Sequence, residues 1–141
     1  MKRQKAVSFV LILMVIVGWI MVLQASGQEK SKESAEFTIA RLVVGTGVEN
    51  SEPVGVAETF PVSTERVYCF LEATNIAKDT EVCFVWVYGQ KEMLKTTLPL
   101  KMGAKWRTYA NKNLRELKGE WKVEIRDPDG KVLKDVKFKV E

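Results

Sequence analysis

The chain has 141 residues and no histidine, with 22 lysine and arginine residues against 18 aspartate and glutamate residues. The absence of histidine excludes imidazole-ligated zinc and the Ser-His and Cys-His pairs of many hydrolases. The net charge of +4 is small, and three of the basic residues stand within the first five positions, so we expect no nucleic-acid partner. We also expect no cofactor, no metal and no catalytic residues.

An uninterrupted apolar segment at residues 6–23 follows the basic N-terminus. The positive-inside rule predicts that the N-terminus stays in the cytoplasm and that the downstream chain is exported. Small residues at 25–27 are typical of a signal-peptidase site, whereas an apolar run of 18 residues approaches the length that spans a bilayer. Residues 1–27 are therefore predicted to be a helical signal peptide or a membrane anchor. The domain would be periplasmic, or would lie outside the cytoplasmic membrane that anchors it.

The exported part begins with a short polar segment. Residues 28–36 alternate in charge and contain no aromatic side chain, which is typical of a tether. Residues 37–141 are then predicted to form one domain, whose first strand covers residues 37–44. Two runs rich in β-branched and aromatic residues, 66–75 and 80–88, are predicted to be the two strands of a hairpin.

The second half of the domain continues the series of strands. Residues 92–100 form the next predicted strand, and Pro99 indicates that this strand lies at a sheet edge, because proline cannot donate a ladder hydrogen bond. Residues 105–111 form another strand. Residues 112–118 are predicted to be a short helical or extended crossover.

The C-terminal segment carries the clearest pattern. Trp121, Val123 and Ile125 alternate with charged residues, as in a strand with one buried face. The sequence at 127–130, Asp-Pro-Asp-Gly, predicts a turn, and alternating apolar residues up to Val140 predict a return strand. With about seven strands and no long amphipathic helix, the sequence predicts an all-β, immunoglobulin-like β-sandwich.

Tryptophan and cysteine positions add expectations about the interior. Trp86, Trp121 and one of Trp106 or Tyr109 are predicted to meet in one core between two layers. Cys69 and Cys83 would lie on the predicted 66–88 hairpin, about 13 Å apart along the strands, too far for a disulfide. Buried free thiols are the favoured expectation, and a bulge that shifts the register would be needed for a bond.

Five spaced motifs run through the predicted domain: Glu52-Pro53-Val54, Val67-Tyr68 with Phe70, Trp86 with Tyr88, Trp106-Arg107 followed by Lys112-Asn113-Leu114, and Gly119-x-Trp121-x-Val123. In their order and spacing, these motifs resemble the Domain of Unknown Function 2914 family of bacterial proteins. The chain departs from the family pattern at Phe84, where the family has histidine, and at Ala110, where it more often has serine. The resemblance implies an all-β domain attached to a membrane or signal segment, and it implies no activity.

The candidate ligand site lies on the segment 105–114, in the basic half of the domain. Arg107 and Lys112 are candidates to bind a phosphate, sulfate or uronate group through charge-assisted hydrogen bonds. Tyr109 would serve as a stacking platform, and Asn113 completes the candidate set. The alternative for Arg107 is a structural ion pair with Glu52.

These observations favour a non-catalytic binding or interaction module outside the cytoplasm. Its partner would be an anionic polymer of the cell envelope or a membrane-associated protein. One alternative is a hydrolase that uses carboxylates without histidine, for which Glu52 and Glu72 are the candidate pair. Another is a structural subunit of a membrane complex, in which the apolar segment 6–23 makes the contact.

Overall fold

The computed structural model describes residues 36–141; the predicted signal or anchor segment and most of the tether lie outside the described residues. The described part consists of strands and turns and contains no helix. Accordingly, a helix capable of crossing a membrane is not found within residues 36–141. The ten strands are β1 (Thr38–Gly45), β2 (Gly47–Glu49), β3 (Glu52–Val54), β4 (Thr59–Phe60), β5 (Arg66–Ile76), β6 (Thr80–Tyr88), β7 (Lys91–Leu100), β8 (Gly103–Asn113), β9 (Gly119–Arg126) and β10 (Val132–Val140).

The strands form two main sheets and a small ribbon. A three-stranded sheet has the order β1-β5-β8, and a five-stranded sheet has the order β4-β10-β9-β6-β7. Strands β2 and β3 form the separate ribbon. Neighbouring strands are antiparallel, except that β4 runs parallel to β10. The two sheets turn their apolar faces toward one shared core, so the predicted all-β class is confirmed.

The C-terminal hairpin forms as predicted. Strands β9 and β10 pair in antiparallel register, and Trp121 lies opposite Phe138. In the turn, the Gly130 amide donates to the Asp127 carbonyl at 2.9 Å, and Gly130 has a φ of 91°, which favours glycine. A register shift follows between Val132 and Lys134, the bulge that such a turn produces.

The core is organised around Phe138. Its ring stacks on Trp121, with centroids 5.9 Å apart and planes 9° apart, and meets Trp86 at 6.4 Å and Phe60 at 5.7 Å edge-on. Trp86 and Trp121 are both buried in this cluster, as predicted. On β8, Trp106 packs against the core, whereas Tyr109 points outward and is 45% exposed.

The predicted hairpin of residues 66–88 is wrong. Strand β5 pairs with β1 and β8, and β6 pairs with β7 and β9, so the two consecutive strands lie in different sheets. Asn75, at a φ of 52°, is in the left-handed region near the end of β5. This conformation changes the direction of the chain and lets a short link carry it across to the other sheet.

The cysteines follow this topology. Cys69 lies opposite Val44 and Ala110 and is buried in the core, whereas Cys83 lies opposite Thr97 and Arg126 and is partly exposed. Only Cys69 is buried, so the expectation of two buried thiols is wrong for Cys83, but both thiols are free, as expected. The reason differs from the predicted one, because the two residues belong to different sheets.

The remaining strand predictions are largely confirmed. Strand β7 is hydrogen-bonded only to β6, so Pro99 lies on an edge strand as predicted. Lys112 and Asn113 still belong to β8 rather than to a crossover. The chain then turns at Arg115 and Glu116, which both have positive φ, 52° and 60°.

Candidate functional site

The candidate residues on β8 fall on two faces of one strand. Because side chains alternate along a strand, Arg107, Tyr109 and Asn113 share the face that turns away from the core. Lys112 belongs to the alternate set, which includes the buried Ala110. The structure therefore brings three of the four predicted site residues to one outer face and separates the fourth.

Arg107 is occupied by carboxylates. Its guanidinium lies 2.9 Å from Glu52 Oε2 and 3.4 Å from Glu72 Oε1, and Nη1 donates to the Ser51 carbonyl at 3.1 Å. The Nε–H is not aligned with Glu72 and forms no hydrogen bond. The structural alternative predicted for Arg107, an ion pair with Glu52, is confirmed.

A second arginine completes the cluster. Arg41 on β1 lies 3.1 Å from Glu52 and 3.2 Å from Glu72, so two arginines share the same two glutamates. Lys105 approaches Glu72 at 3.7 Å. Because Glu52 belongs to the β2–β3 ribbon, this cluster fastens the ribbon to the outer face of the three-stranded sheet.

The cluster also covers an apolar residue. Phe70 points away from the core, because Cys69 and Leu71 on either side of it point into the core. Even so, Phe70 is only 1% exposed. The Arg41 guanidinium carbon lies 5.0 Å from the centre of its ring, a cation–π contact. Arg41 and Arg107 are thus components of the fold.

The ion pairs of the cluster lower the pKa of Glu72. Burial raises the pKa of Glu72, but the hydrogen bond from Arg41 and the charges of Lys105 and Arg107 outweigh burial and hold that pKa below its usual range. A glycosidase acid needs a raised pKa. Glu72 therefore does not have the raised pKa of a glycosidase acid.

A comparable cluster stands on the outer face of the five-stranded sheet. Arg126 Nη2 lies 2.6 Å from Glu124 and 2.8 Å from Glu92. These hydrogen bonds are the main reason why the pKa values of both glutamates lie below their usual range. Val85, on the same face, lies opposite Lys95 and Glu124 on the neighbouring strands and is fully buried.

Tyr109 has an aromatic neighbour that the sequence analysis missed. Tyr68 on β5 lies with its ring centroid 5.9 Å from that of Tyr109. Next to them, Arg66 donates to the Asn111 side-chain oxygen at 2.7 Å. The alternation of β5 in the sequence indicates which face Tyr68 occupies. Only the pairing of β5 with β8 shows that this face also carries Tyr109.

Lys112 and Asn113 lie at the end of β8. The Lys112 ammonium donates to the Asn113 carbonyl at 3.0 Å, and the Asn113 side chain accepts a hydrogen bond from the Arg115 amide at 2.8 Å. Burial lowers the pKa of Lys112, and the charges of Arg115 and Arg66 lower it further. Three cations are therefore neighbours at this end of the sheet.

Residues 36–141 contain no group of three or more Cys, Asp or Glu side chains close enough together to hold a metal ion. The described residues thus define an all-β domain of two sheets with a polar and aromatic outer surface on β5 and β8. Residues 79–140 match the model of the family described as "Protein of unknown function (DUF2914)", which supports the resemblance found in the sequence.

No curated protein matches the chain. Among solved structures, a β-glucosidase from Kluyveromyces marxianus is 14% identical, with a TM-score of 0.44 over 75% of this chain and 14% of that one. A β-D-glucoside glucohydrolase from Trichoderma reesei is 12% identical, with a TM-score of 0.48 over 74% of this chain and 19% of that one. A Niemann-Pick type C2 protein from Japanese carpenter ant is 14% identical, with a TM-score of 0.40 over 77% of this chain and 96% of that one. The chain spans less than a fifth of either glucosidase. All three TM-scores are too low to bear on function.

Proposed function

We propose that the domain is a non-catalytic binding module that works outside the cytoplasm and recognises a polymer of the bacterial cell envelope. The observation that supports this proposal is the exposed Tyr109 ring on the outer face of β8, beside Tyr68. Single exposed apolar residues are common on protein surfaces. Here, however, two aromatic rings lie together beside side chains that can form hydrogen bonds.

The chemistry of this surface suits a sugar polymer. A tyrosine ring offers a flat apolar face and a polar edge, so one side chain can stack on the C–H face of a sugar ring and also bond its hydroxyl groups. Asn111 accepts a hydrogen bond from Arg66 through Oδ1, which leaves its amide N–H groups as donors. An aromatic platform with oriented amide donors is a common way to combine contact area with specificity.

The remaining parts of the proposal follow from the sequence. Residues 1–27 would direct export as a signal peptide or hold the domain near the membrane as an anchor. Residues 28–36 would give the domain reach, and the two sheets would form an immunoglobulin-like sandwich that presents the binding face. In this proposal, Glu52 and Glu72 hold the β2–β3 ribbon in place and take part in no reaction.

The test is retention on isolated envelope polymer. We expect Tyr109→Ala to weaken retention, because one aromatic contact contributes about 0.5–1.5 kcal/mol beyond its area, or roughly two- to tenfold in affinity. Tyr109→Phe should retain most of the binding if stacking dominates. Met102→Ala, which changes another exposed side chain away from this face, is the control. Equal retention of the wild type and of a Tyr68→Ala, Tyr109→Ala double variant would refute the proposal.

A further inference from the structure

Three cations at one end of the three-stranded sheet lack the carboxylate partners that the clustered arginines of the described domain have. Arg41, Arg107 and Arg126 each lie within 4 Å of two carboxylates. Arg66, Lys112 and Arg115 form no salt bridge with any residue of the described part of the chain. Uncompensated like charges repel one another, so their clustering costs free energy unless an anion offsets it.

Their hydrogen bonds are all to neutral groups. Arg66 donates to the Asn111 amide oxygen and Lys112 to the Asn113 carbonyl. Both of these bonds leave other N–H donors of the two side chains free, because an ammonium has three and a guanidinium five. The lowered pKa of Lys112 agrees with a site in which positive charge is in excess.

The backbone beside the cluster is held in an unusual conformation. Arg115 and Glu116 both have positive φ, which is uncommon for residues with side chains, and two such residues in succession store strain. The Asn113 side chain supports this turn by accepting from the Arg115 amide. A shallow depression of about 590 Å³ lies here, lined by residues 62–65, Asn113, Arg115 and Glu116. Glu65 and Glu116 belong to its wall, but neither forms a salt bridge with the three cations.

The cluster adjoins the proposed binding face. Tyr109 lies opposite Phe70, Asn111 opposite Tyr68 and Asn113 opposite Arg66, so the tyrosines and Arg66 follow one another on the outer face of the same two strands. Lys112 lies on the alternate face at the end of β8, and Arg115 lies in the turn that follows. At about 3.3 Å per residue, the distance from Tyr109 to Asn113 along the strand is about 13 Å. A polymer of linked rings lying on the tyrosines along β8 would therefore reach Arg66 and the end of the sheet where Lys112 and Arg115 also lie.

We infer that the polymer is acidic, and that Arg66, Lys112 and Arg115 bind a carboxylate or phosphate group one or a few rings away from the ring that stacks on Tyr109. This inference rests on the proposed function. The shared chemistry is an oxyanion repeated along a polymer, and charge-assisted hydrogen bonds to it are stronger than those between neutral groups.

The experiment measures binding of the full-length chain in detergent to three probes: polygalacturonate, polyphosphate and neutral dextran. We expect one polyanion to bind at least tenfold more tightly than dextran at low salt, and the binding to weaken as salt screens the charges. A preference for polygalacturonate would identify a uronate-type ligand, and a preference for polyphosphate would identify a phosphate-type ligand.

A charge-matched pair of variants assigns the binding to the cluster. Lys112→Gln with Arg115→Gln should weaken polyanion binding by at least about tenfold, the order expected for loss of even one hydrogen bond to a charged group. Lys131→Gln with Lys134→Gln removes the same charge from exposed positions in the β9–β10 hairpin and should change binding less than about twofold. Both pairs should unfold at the wild-type temperature, since all four side chains are outside the core.

Two outcomes would overturn the inference. One is equal binding of polyanions and dextran, or no polyanion binding. The other is an equal effect of the two double variants, which would show only general attraction to the net charge. If Tyr109→Ala still weakens retention on envelope polymer in either case, the proposed function stands and only the acidic ligand is refuted.

Discussion

Replacement of Phe138 by leucine tests the organisation of the core. The Phe138 ring contacts Trp121, Trp86 and Phe60 at centroid distances of 5.9, 6.4 and 5.7 Å. Leucine keeps an apolar side chain at this position, so most of the hydrophobic burial is retained. What is lost is the aromatic geometry, the stacked contact with Trp121 above all.

The magnitude follows from the three ring contacts. An aromatic pair contributes about 0.5–1.5 kcal/mol beyond the buried area, so three pairs would contribute about 1.5–4.5 kcal/mol if they were independent. They share one ring and leucine partly refills the space, so we expect a loss of about 2 kcal/mol in the free energy of unfolding. For a domain of this size, that loss lowers Tm by roughly 8–16 °C. It is a large part of a total stability of about 5–15 kcal/mol.

The assay is urea or thermal unfolding followed by tryptophan fluorescence, because Trp86 and Trp121 report directly on the packing around Phe138. Val132→Ala on the same strand is the control; its side chain is 45% exposed, and surface substitutions usually change stability by less than about 0.5 kcal/mol. A Phe138→Leu protein that unfolds within about 2 °C of the wild type would contradict the view that these rings form the centre of the core.

Two further predictions concern titratable groups. Glu72, Glu92 and Glu124 have folded-state pKa values below that of an unfolded glutamate, about 4.3, so their contribution to stability is complete above about pH 5 and is lost as pH falls through the folded-state values. We expect the urea midpoint to be level from pH 7 to 5 and to fall by pH 3, with a smaller fall in Glu124→Gln; a midpoint unchanged at pH 3 would refute this. For the thiols, burial raises the pKa of Cys69, so iodoacetamide should label Cys83 in the native protein and Cys69 only after unfolding, as mass spectrometry can show. Equal labelling of both in the native state would be inconsistent with the core position of Cys69.

The parts of the fold that depend on nearby residues could be predicted from the sequence. The C-terminal hairpin joins two alternating strands through a turn whose proline and glycine specify its geometry. The edge position of Pro99 and the burial of Trp86 and Trp121 likewise follow from properties of single residues. These predictions are all confirmed.

The pairing of β5 could not be predicted in the same way. A short link between two apolar strands is compatible with a hairpin and also with a crossover between sheets. The choice depends on partners far away in sequence, because β5 pairs with β1 and β8. Without that pairing, Tyr68 could not be connected with Tyr109.

The candidate site illustrates the same limit. The sequence indicated both possible roles of Arg107, but only the fold brings Glu52 and Glu72 to it. The sequence predicts Lys112 and Tyr109 in one candidate site, whereas the alternation of β8 places the two side chains on opposite faces. It could not show that Arg66 and Arg115 stand near Lys112, because one comes from β5 and the other from the turn after β8.

The parallel pairing of β4 with β10 has a consequence for the order of folding. Among the strands of residues 36–141, β4 is hydrogen-bonded to β10 alone, and the Glu141 amide donates to the Phe60 carbonyl at 3.0 Å. A chain that emerges N-terminus first must therefore leave this strand unpaired until its final residues arrive. Contacts between distant segments also form slowly. We expect the apolar inner faces to remain exposed to water until β10 is in place, so the nascent domain would need protection from aggregation throughout that interval.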